Sequence, residues 1–263
     1  MKIVVCIKQV PATHDVKIDP ETKRLIREGV VSVINPFDLY AIEQAVLLKE
    51  DYGGEAIAIT MGPPKAENAL RESIACGVDK AILLTDRAFA GSDTWATSYA
   101  LSMAIRKLGE VDLVICGKQA VDGDTAQVGP GIAAHLGWGQ AACVSAMTRL
   151  RTNKTISATR MHEEGFDIVE MRLPSVITVV KGINQPRIPT LKGRLASLDV
   201  AITTWGASDI GAETEKLGLN GSPTRVVRTS PPPPRKSASV RLNGSAEKCA
   251  MGLVKELRTR SIL

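Results

Sequence analysis

From the amino end, the chain alternates short apolar, β-rich runs with longer segments whose apolar residues recur at helical spacing. The runs KIVVCIKQV (2–10), EAIAITM (55–61), KAILL (80–84) and DLVIC (112–116) predict strands, and helices are predicted over about 36–52, 65–75 and 93–107. Strands alternating with helices imply a parallel sheet covered by helices, a Rossmann-like α/β fold. The predicted boundaries have chemical reasons. Asn35 suits an N-cap with Pro36 at the first helical position, and Gly53 and Gly54 can take the left-handed conformation that stops a helix after Tyr52. Asp93 can cap the helix containing Thr94, Trp95 and Thr97.

Beyond about residue 140 the pattern changes to AACVSAMTRL, TISATRMH, FDIVEMRL and SVITVV, with turn signals at Thr152-Asn153, Gly165 and Pro174. These runs are expected to be antiparallel strands that extend the sheet. From Lys181 to about Gly244 there is little sustained periodicity, and PPPPRK at 231–236 favours an extended polyproline conformation. The segment AEKCAMGLVKELRTR follows, with Cys249, Leu253, Val254 and Leu257 on one helical face that wants a surface to lie on. The expected division is therefore a nucleotide-binding α/β core with its extension at 1–180, and at 181–263 an arm that ends in a helix.

Composition narrows the function classes. With 263 residues and 44% hydrophobic content, one substantial core can be buried. No apolar run approaches the roughly 18 to 20 residues needed to cross a bilayer, and the chain opens directly on a strand-like run, so a cytoplasmic protein is expected. Cys6, Cys76, Cys116, Cys143 and Cys249 form no C-x-x-C pair, and His14, His135 and His162 share no ligand spacing with them, so neither a disulfide framework nor a metal is expected. Each histidine is expected at the surface or in a loop. The net charge is +5, but the basic residues are dispersed and aromatic residues are 3% of the chain, which argues against a nucleic-acid partner. Basic residues thicken from Lys192 and Arg194 through Arg235, Lys236 and Arg241 to Arg260, which suits an acidic protein partner or a solvated tail equally.

The most informative stretch is GKQAVDGDTAQVGPGIAAHL, 117–136, which leaves the fourth predicted strand and enters a helix-like segment. Gly117, Gly123 and Gly129 let backbone N–H groups approach a ligand, the helix N-terminus favours an anion, and Thr125 and Gln127 add a hydroxyl and an amide. This equipment suits a nucleotide pyrophosphate. Asp122 and Asp124 would repel phosphate, so they are read as caps for loop N–H groups or as partners of a ribose. The same composition also fits an ordinary turn, since the spacing is neither G-x-G-x-x-G nor a Walker loop. Two more strand ends, at Val5-Cys6-Ile7-Lys8 and Thr60-Met61-Gly62, fall on the same predicted sheet edge, where open α/β sheets bind ligands.

Taken in order, KIVVCIKQVP, INPFD, MGPP, GKQAVDGDTAQVGP and INQPR resemble the beta subunit of electron transfer flavoproteins along nearly the whole chain. The resemblance implies a heterodimer with an alpha subunit that carries a transferable FAD, while this chain holds AMP or a second FAD. The family's nucleotide contacts fall here on Cys6, on Asn35, Pro36, Phe37 and Asp38, on Met61, and on Gly123, Asp124, Thr125, Ala126, Gln127, Val128 and Gly129. Its loop for docking acyl-CoA dehydrogenases and other redox partners corresponds to Asn184-Gln185-Pro186-Arg187 with Thr190 and Leu191. Here Ile188-Pro189 and Lys192-Gly193-Arg194 depart from the common pattern. Leu191 also fits an ordinary exposed leucine.

LLTDRAFAGSDTWATS (83–98) and KLGLNGSPTRVVR (216–228) resemble the electron-bifurcating and Fix-type branch, in which FAD replaces AMP and takes a hydride from NADH. In that branch Ala90, Gly91, Ser92, Thr94 and Thr97 would lie beside the flavin with Asp93, whose other role is capping. FAD is therefore expected, with AMP as the alternative and an ATP- or AMP-binding sensor as a reading from another class. No Ser/His/Asp, Cys/His or paired-carboxylate constellation is present, so no catalytic side chain is expected and an electron carrier is the reading.

Overall fold

The computed structural model describes residues 1–12, 31–152, 155–227 and 239–263. Nine strands form one sheet: β1 (Lys2–Cys6), β4 (Glu55–Met61), β5 (Lys80–Leu84), β6 (Leu113–Gly117), β7 (Gly139–Thr152), β8 (Thr155–His162), β9 (Gly165–Arg172), β10 (Ser175–Val179) and β11 (Thr203–Trp205). Their order is β11-β5-β4-β1-β6-β10-β7-β8-β9. A small antiparallel pair, β2 (Gln9–Pro11) and β3 (Ser32–Ile34), stands beside it, so the predicted 2–10 strand breaks after Cys6.

The sheet is a middle layer. Ile3, Val5 and Ile7 face α1 (Pro36–Tyr52) and α2 (Glu67–Ala75), while Val4 and Cys6 face α3 (Thr94–Leu108) and α4 (Val128–Leu136). Burial on both faces explains why these strands read as continuous apolar runs instead of alternating ones. α1 ends at Tyr52 as expected, although Gly53 takes φ 70° and ψ 169°, outside the left-handed helical well.

Two expectations need correction. SVITV (β10) is not part of the antiparallel extension: it runs parallel to β6 and to the start of β7, with all five residues buried. Ile177 and Val179 pack towards α1 and Val176 towards α4, the two-sided burial of an interior parallel strand. Among the described strands of the nine-stranded sheet, only β7, β8 and β9 pair antiparallel. The weakly periodic segment after Lys181 also has structure. It supplies α5 (Leu191–Asp199), packed on α2, and the edge strand β11, and it buries Ile210 and Leu217 in the core beside α3.

The chain divides into two compact units, Met1–Val227 and Arg228–Leu263. In the second, α6 (Ala246–Thr259) starts where Ser245 Oγ accepts the Lys248 N–H, and none of its residues is buried. His14, part of the Thr152-Asn153 turn and the PPPPRK run with Arg235 and Lys236 lie outside the described residues. Among the described residues no helix is long and apolar enough to cross a membrane.

Candidate functional site

The sheet order places a topological switch beside β1. β1 connects through α1 to β4 on one side, whereas β5 connects through α3 to β6 on the other. A crevice therefore opens beyond the carboxyl ends of β1 and β6, the place where ligands bind in open α/β sheets. Three segments meet there. Lys8 Nζ, just after β1, donates to Asp122 Oδ1 in the loop after β6 at 2.7 Å. A side chain built at Gly123 would have that ammonium as its nearest neighbour, at 4.0 Å. From the start of α3, the Thr94 hydroxyl donates to the Thr125 hydroxyl at 3.2 Å.

The backbone of this loop is unusual. Asp124 and Ala126 have φ of 54° and 55°, a region that side-chain-bearing residues enter at a cost of about 1–3 kcal/mol each and that clusters at ligand sites. Ala126 is followed by right-handed Gln127, with φ −115° and ψ −7°. A left-handed residue beside a right-handed one turns successive N–H groups into one anion-binding concavity. Among the described residues no protein acceptor meets the N–H groups of Thr125, Ala126 or Gln127. α4 begins at the next residue and adds its N-terminal N–H groups and the positive end of its dipole. Gly129 seats that helix tightly, because a Cβ there would lie 2.4 Å from Thr178 Cγ2 on β10. A phosphate group fits this donor set.

The acidic residues brace the loop through side chains instead of capping its N–H groups. Asp122 pairs with Lys8, and Asp124 accepts from the Gln119 side-chain amide. Asn35 occupies the N-cap position of α1 but makes no side-chain cap. Its amide instead donates to Asp38 Oδ1 at 3.0 Å and to the Gln119 carbonyl at 2.8 Å, and its oxygen accepts the Val121 N–H at 3.0 Å. Asp38, 5% exposed, also accepts the Lys8 N–H at 2.7 Å and the Gly117 N–H. Burial pushes its carboxyl up to about 7 against these hydrogen bonds. Pro36 opens α1, and the Phe37 backbone carbon would lie 2.8 Å from a Cβ at Gly117.

The remaining expected contacts lie at varied distances from the loop. Cys6 sits beside Cys116 in register at the ends of β1 and β6, and the Cys6 thiol together with burial holds the Cys116 thiol well above its usual range. Val128 opens α4 at the edge of the core beside α3. Met61 ends β4, one strand farther from the switch, half-buried at the edge of the core beside α3. Thr97 lies one turn along α3 from Thr94, with no side-chain hydrogen bond to the loop among the described residues. Asp93 caps α3 by accepting the Trp95 and Ala96 N–H groups, and its other oxygen accepts the Thr224 N–H and hydroxyl. Ser222 accepts the Asp93 N–H, and Ser92 accepts the Gly218 N–H. The 83–98 and 216–228 segments thus brace each other, a pairing that sequence reading did not reveal. His135 is half-buried and not in a loop: it lies in the last turn of α4, packed against the rings of Trp95 and Tyr99, and burial lowers its pKa.

Comparison with known proteins decides the family. The family pattern described as "Electron transfer flavoprotein domain" matches residues 22–210. The chain belongs to the electron transfer flavoprotein family, among its beta subunits. It is 46% identical to an electron transfer flavoprotein subunit beta from Thermoanaerobacterium thermosaccharolyticum, and 44% identical to the caffeyl-CoA reductase-Etf complex subunit CarD from Acetobacterium woodii, with all of each chain covered. It is 46% identical to Protein FixA from Bradyrhizobium diazoefficiens, over 97% of this chain and 90% of that protein.

In this electron transfer flavoprotein chain, the residues expected at a docking surface play unequal parts. Arg187 is tied down: its guanidinium donates to both oxygens of Glu43, at 2.8 and 3.0 Å, and both of Glu50, at 2.7 and 3.0 Å. Its backbone N–H adds a third bond to Glu43. Thr190 caps α5 through the Gly193 N–H. Leu191, Leu195 and Leu198 are exposed at helical spacing along α5, and Ile188 is exposed just before it. At the far end of α5, Arg71 from α2 donates to the Ser197, Leu198 and Val200 carbonyls.

Proposed function

We propose that this chain is the small subunit of a heterodimeric electron transfer flavoprotein, holding FAD in the crevice beyond β1 and β6 and taking part in electron bifurcation. The observation that carries the nucleotide reading is the left-handed and right-handed backbone at Asp124–Gln127, where among the described residues the Thr125, Ala126 and Gln127 N–H groups meet no protein acceptor just before α4 begins. Bound FAD would supply the redox chemistry, accepting electrons from NADH or a dehydrogenase and passing them to an acceptor. The chain's own residues would bind and orient. The nest and α4 would hold the pyrophosphate, Thr94 and Thr125 would offer hydroxyls at the mouth of the crevice, and the Lys8–Asp122 pair would keep the two strand-end loops together.

Support for FAD over AMP comes from the bracing of the 83–98 and 216–228 segments, which fixes the start of α3 beside the loop. It also comes from two relatives named for a reductase-Etf complex and for Fix. In this reading residues 1–180 hold the nucleotide, while residues 181–263 carry the exposed Leu191 face for acyl-CoA dehydrogenase or another redox partner, and a helix that docks on the alpha subunit. The test is the nucleotide content of the co-expressed heterodimer after denaturation. Two FAD per heterodimer are expected. One FAD with one AMP would make this chain a structural and docking subunit, and neither nucleotide on this chain would overturn the site.

A further inference from the structure

The carboxylate of Asp38 ties together elements that lie far apart in sequence. It receives the Lys8 N–H that follows β1, the Gly117 N–H that ends β6, and the side-chain amide of Asn35 at the start of α1. Asn35 passes this anchorage on, holding the Gln119 carbonyl and the Val121 N–H of the 118–127 loop. The fit leaves no slack, since a Cβ at Gly117 would fall 2.3 Å from Asp38 Oδ1. Both oxygens of Asp38 are engaged from inside the protein.

We propose that Asp38 is a positioning residue of the nucleotide site, acting through Asn35 to hold the 118–127 loop in its anion-binding shape and to couple that shape to protonation. The inference rests on the nucleotide reading given above. As an ionised acceptor, Asp38 satisfies three donors at once. A proton on it would convert one acceptor position into a donor facing N–H groups, loosening the hub. With Asp38 still buried, losing these hydrogen bonds, which hold its pKa down against burial, would make the loosened hub bind the proton more tightly, so acidification through about 7 favours loosening. The titratable groups around it leave it in control: the Lys8 ammonium is engaged by Asp122, and the Cys116 thiol, beside Cys6, stays protonated. From β10 and the end of β4, Thr178, Val179 and Met61 contribute no titrating group.

The test uses the full chain in complex with its partner subunit, comparing wild type, Asp38→Asn and Asn35→Ala. Bound nucleotide is counted, and FAD affinity of the stripped complex is measured at about pH 8 and about pH 6. FAD is the probe because a monophosphate such as AMP titrates itself near about 6. Both variants are expected to bind FAD about tenfold or more weakly, the size expected for losing a hydrogen bond to a charged group. Wild-type affinity is expected to fall on acidification, while Asp38→Asn stays weak and flat with pH. Variants that match wild type in affinity and in pH response overturn the proposal. A wild-type complex that binds neither FAD nor AMP on this chain overturns the nucleotide reading and the positioning role with it. If Asp38→Asn does not fold, hydrogen exchange in the wild type reads the same lock. Protection over 118–127 must fall between about pH 8 and pH 6 after correction for intrinsic rates, and constant protection refutes the coupling.

Discussion

Replacing Arg187 with alanine tests how the chain before α5 is held. The two carboxylates it joins differ in environment: the Glu43 side chain is 6% exposed and the Glu50 side chain 50% exposed, with Arg187 itself at 33%. The Glu50 arm is a surface pair worth about 0–1 kcal/mol. Losing the partner of a fully buried charge costs about 3–5 kcal/mol, and because Arg187 is partly solvated the expected loss for Arg187→Ala is about 2–3 kcal/mol. Most of that loss is a stranded Glu43 carboxylate, so adding Glu43→Gln should recover about 1–2 kcal/mol of it. Urea unfolding of the full chain reads each variant as a midpoint shift at constant slope. If Arg187→Ala costs no more than Glu50→Gln, or the double variant is no better than the single, the reasoning is wrong. Acid provides a second check. The hydrogen bond from Arg187 holds the Glu50 carboxyl below its ordinary value of 4.5, so this pair stabilises above that pH and its contribution is lost as the pH falls through the lower folded value. Arg187→Ala should remove that acid-sensitive increment.

Gly117→Ala puts a methyl group 2.3 Å from Asp38 Oδ1 and 2.8 Å from the Phe37 backbone, so it should cost about 1–3 kcal/mol and release nucleotide, read by thermal unfolding and FAD content. Asp93→Ala removes two N-cap bonds and the tie to Thr224, and should destabilise by about 1–2 kcal/mol, with faster hydrogen exchange over the first turn of α3. A loss below about 0.3 kcal/mol would show that the cap is redundant. Leu191→Asp, at a side chain 74% exposed, should leave stability within about 0.5 kcal/mol while weakening electron transfer to a docking partner, read as a raised KM for that partner with unchanged flavin content.

What could be read from the sequence depended on how far away each residue's partner lies. Strands buried on both faces announce themselves by composition, so β1, β4, β5 and β6 were legible, and Asp93 was legible because its partners Trp95 and Ala96 lie two and three residues on. β10 has the same two-sided apolar run, but it follows two antiparallel hairpin strands in sequence, and only its insertion between β6 and β7 shows that it is parallel. α5 escaped notice because its leucines point outward, leaving no core-facing stripe to count. The site divides in the same way. The glycines and short polar residues of 117–129 mark a candidate anion loop by local chemistry, whereas Asn35 looks like a cap until Gln119 and Val121, 84 and 86 residues away, are found on its amide. Sequence position therefore predicts the cradle but not what holds it shut. A loop strained at Asp124 and Ala126 keeps its shape only if something outside it opposes relaxation, and the neighbours that do so, Lys8, Asn35 and Asp38, all come from the strand end and helix start on the other side of the crevice.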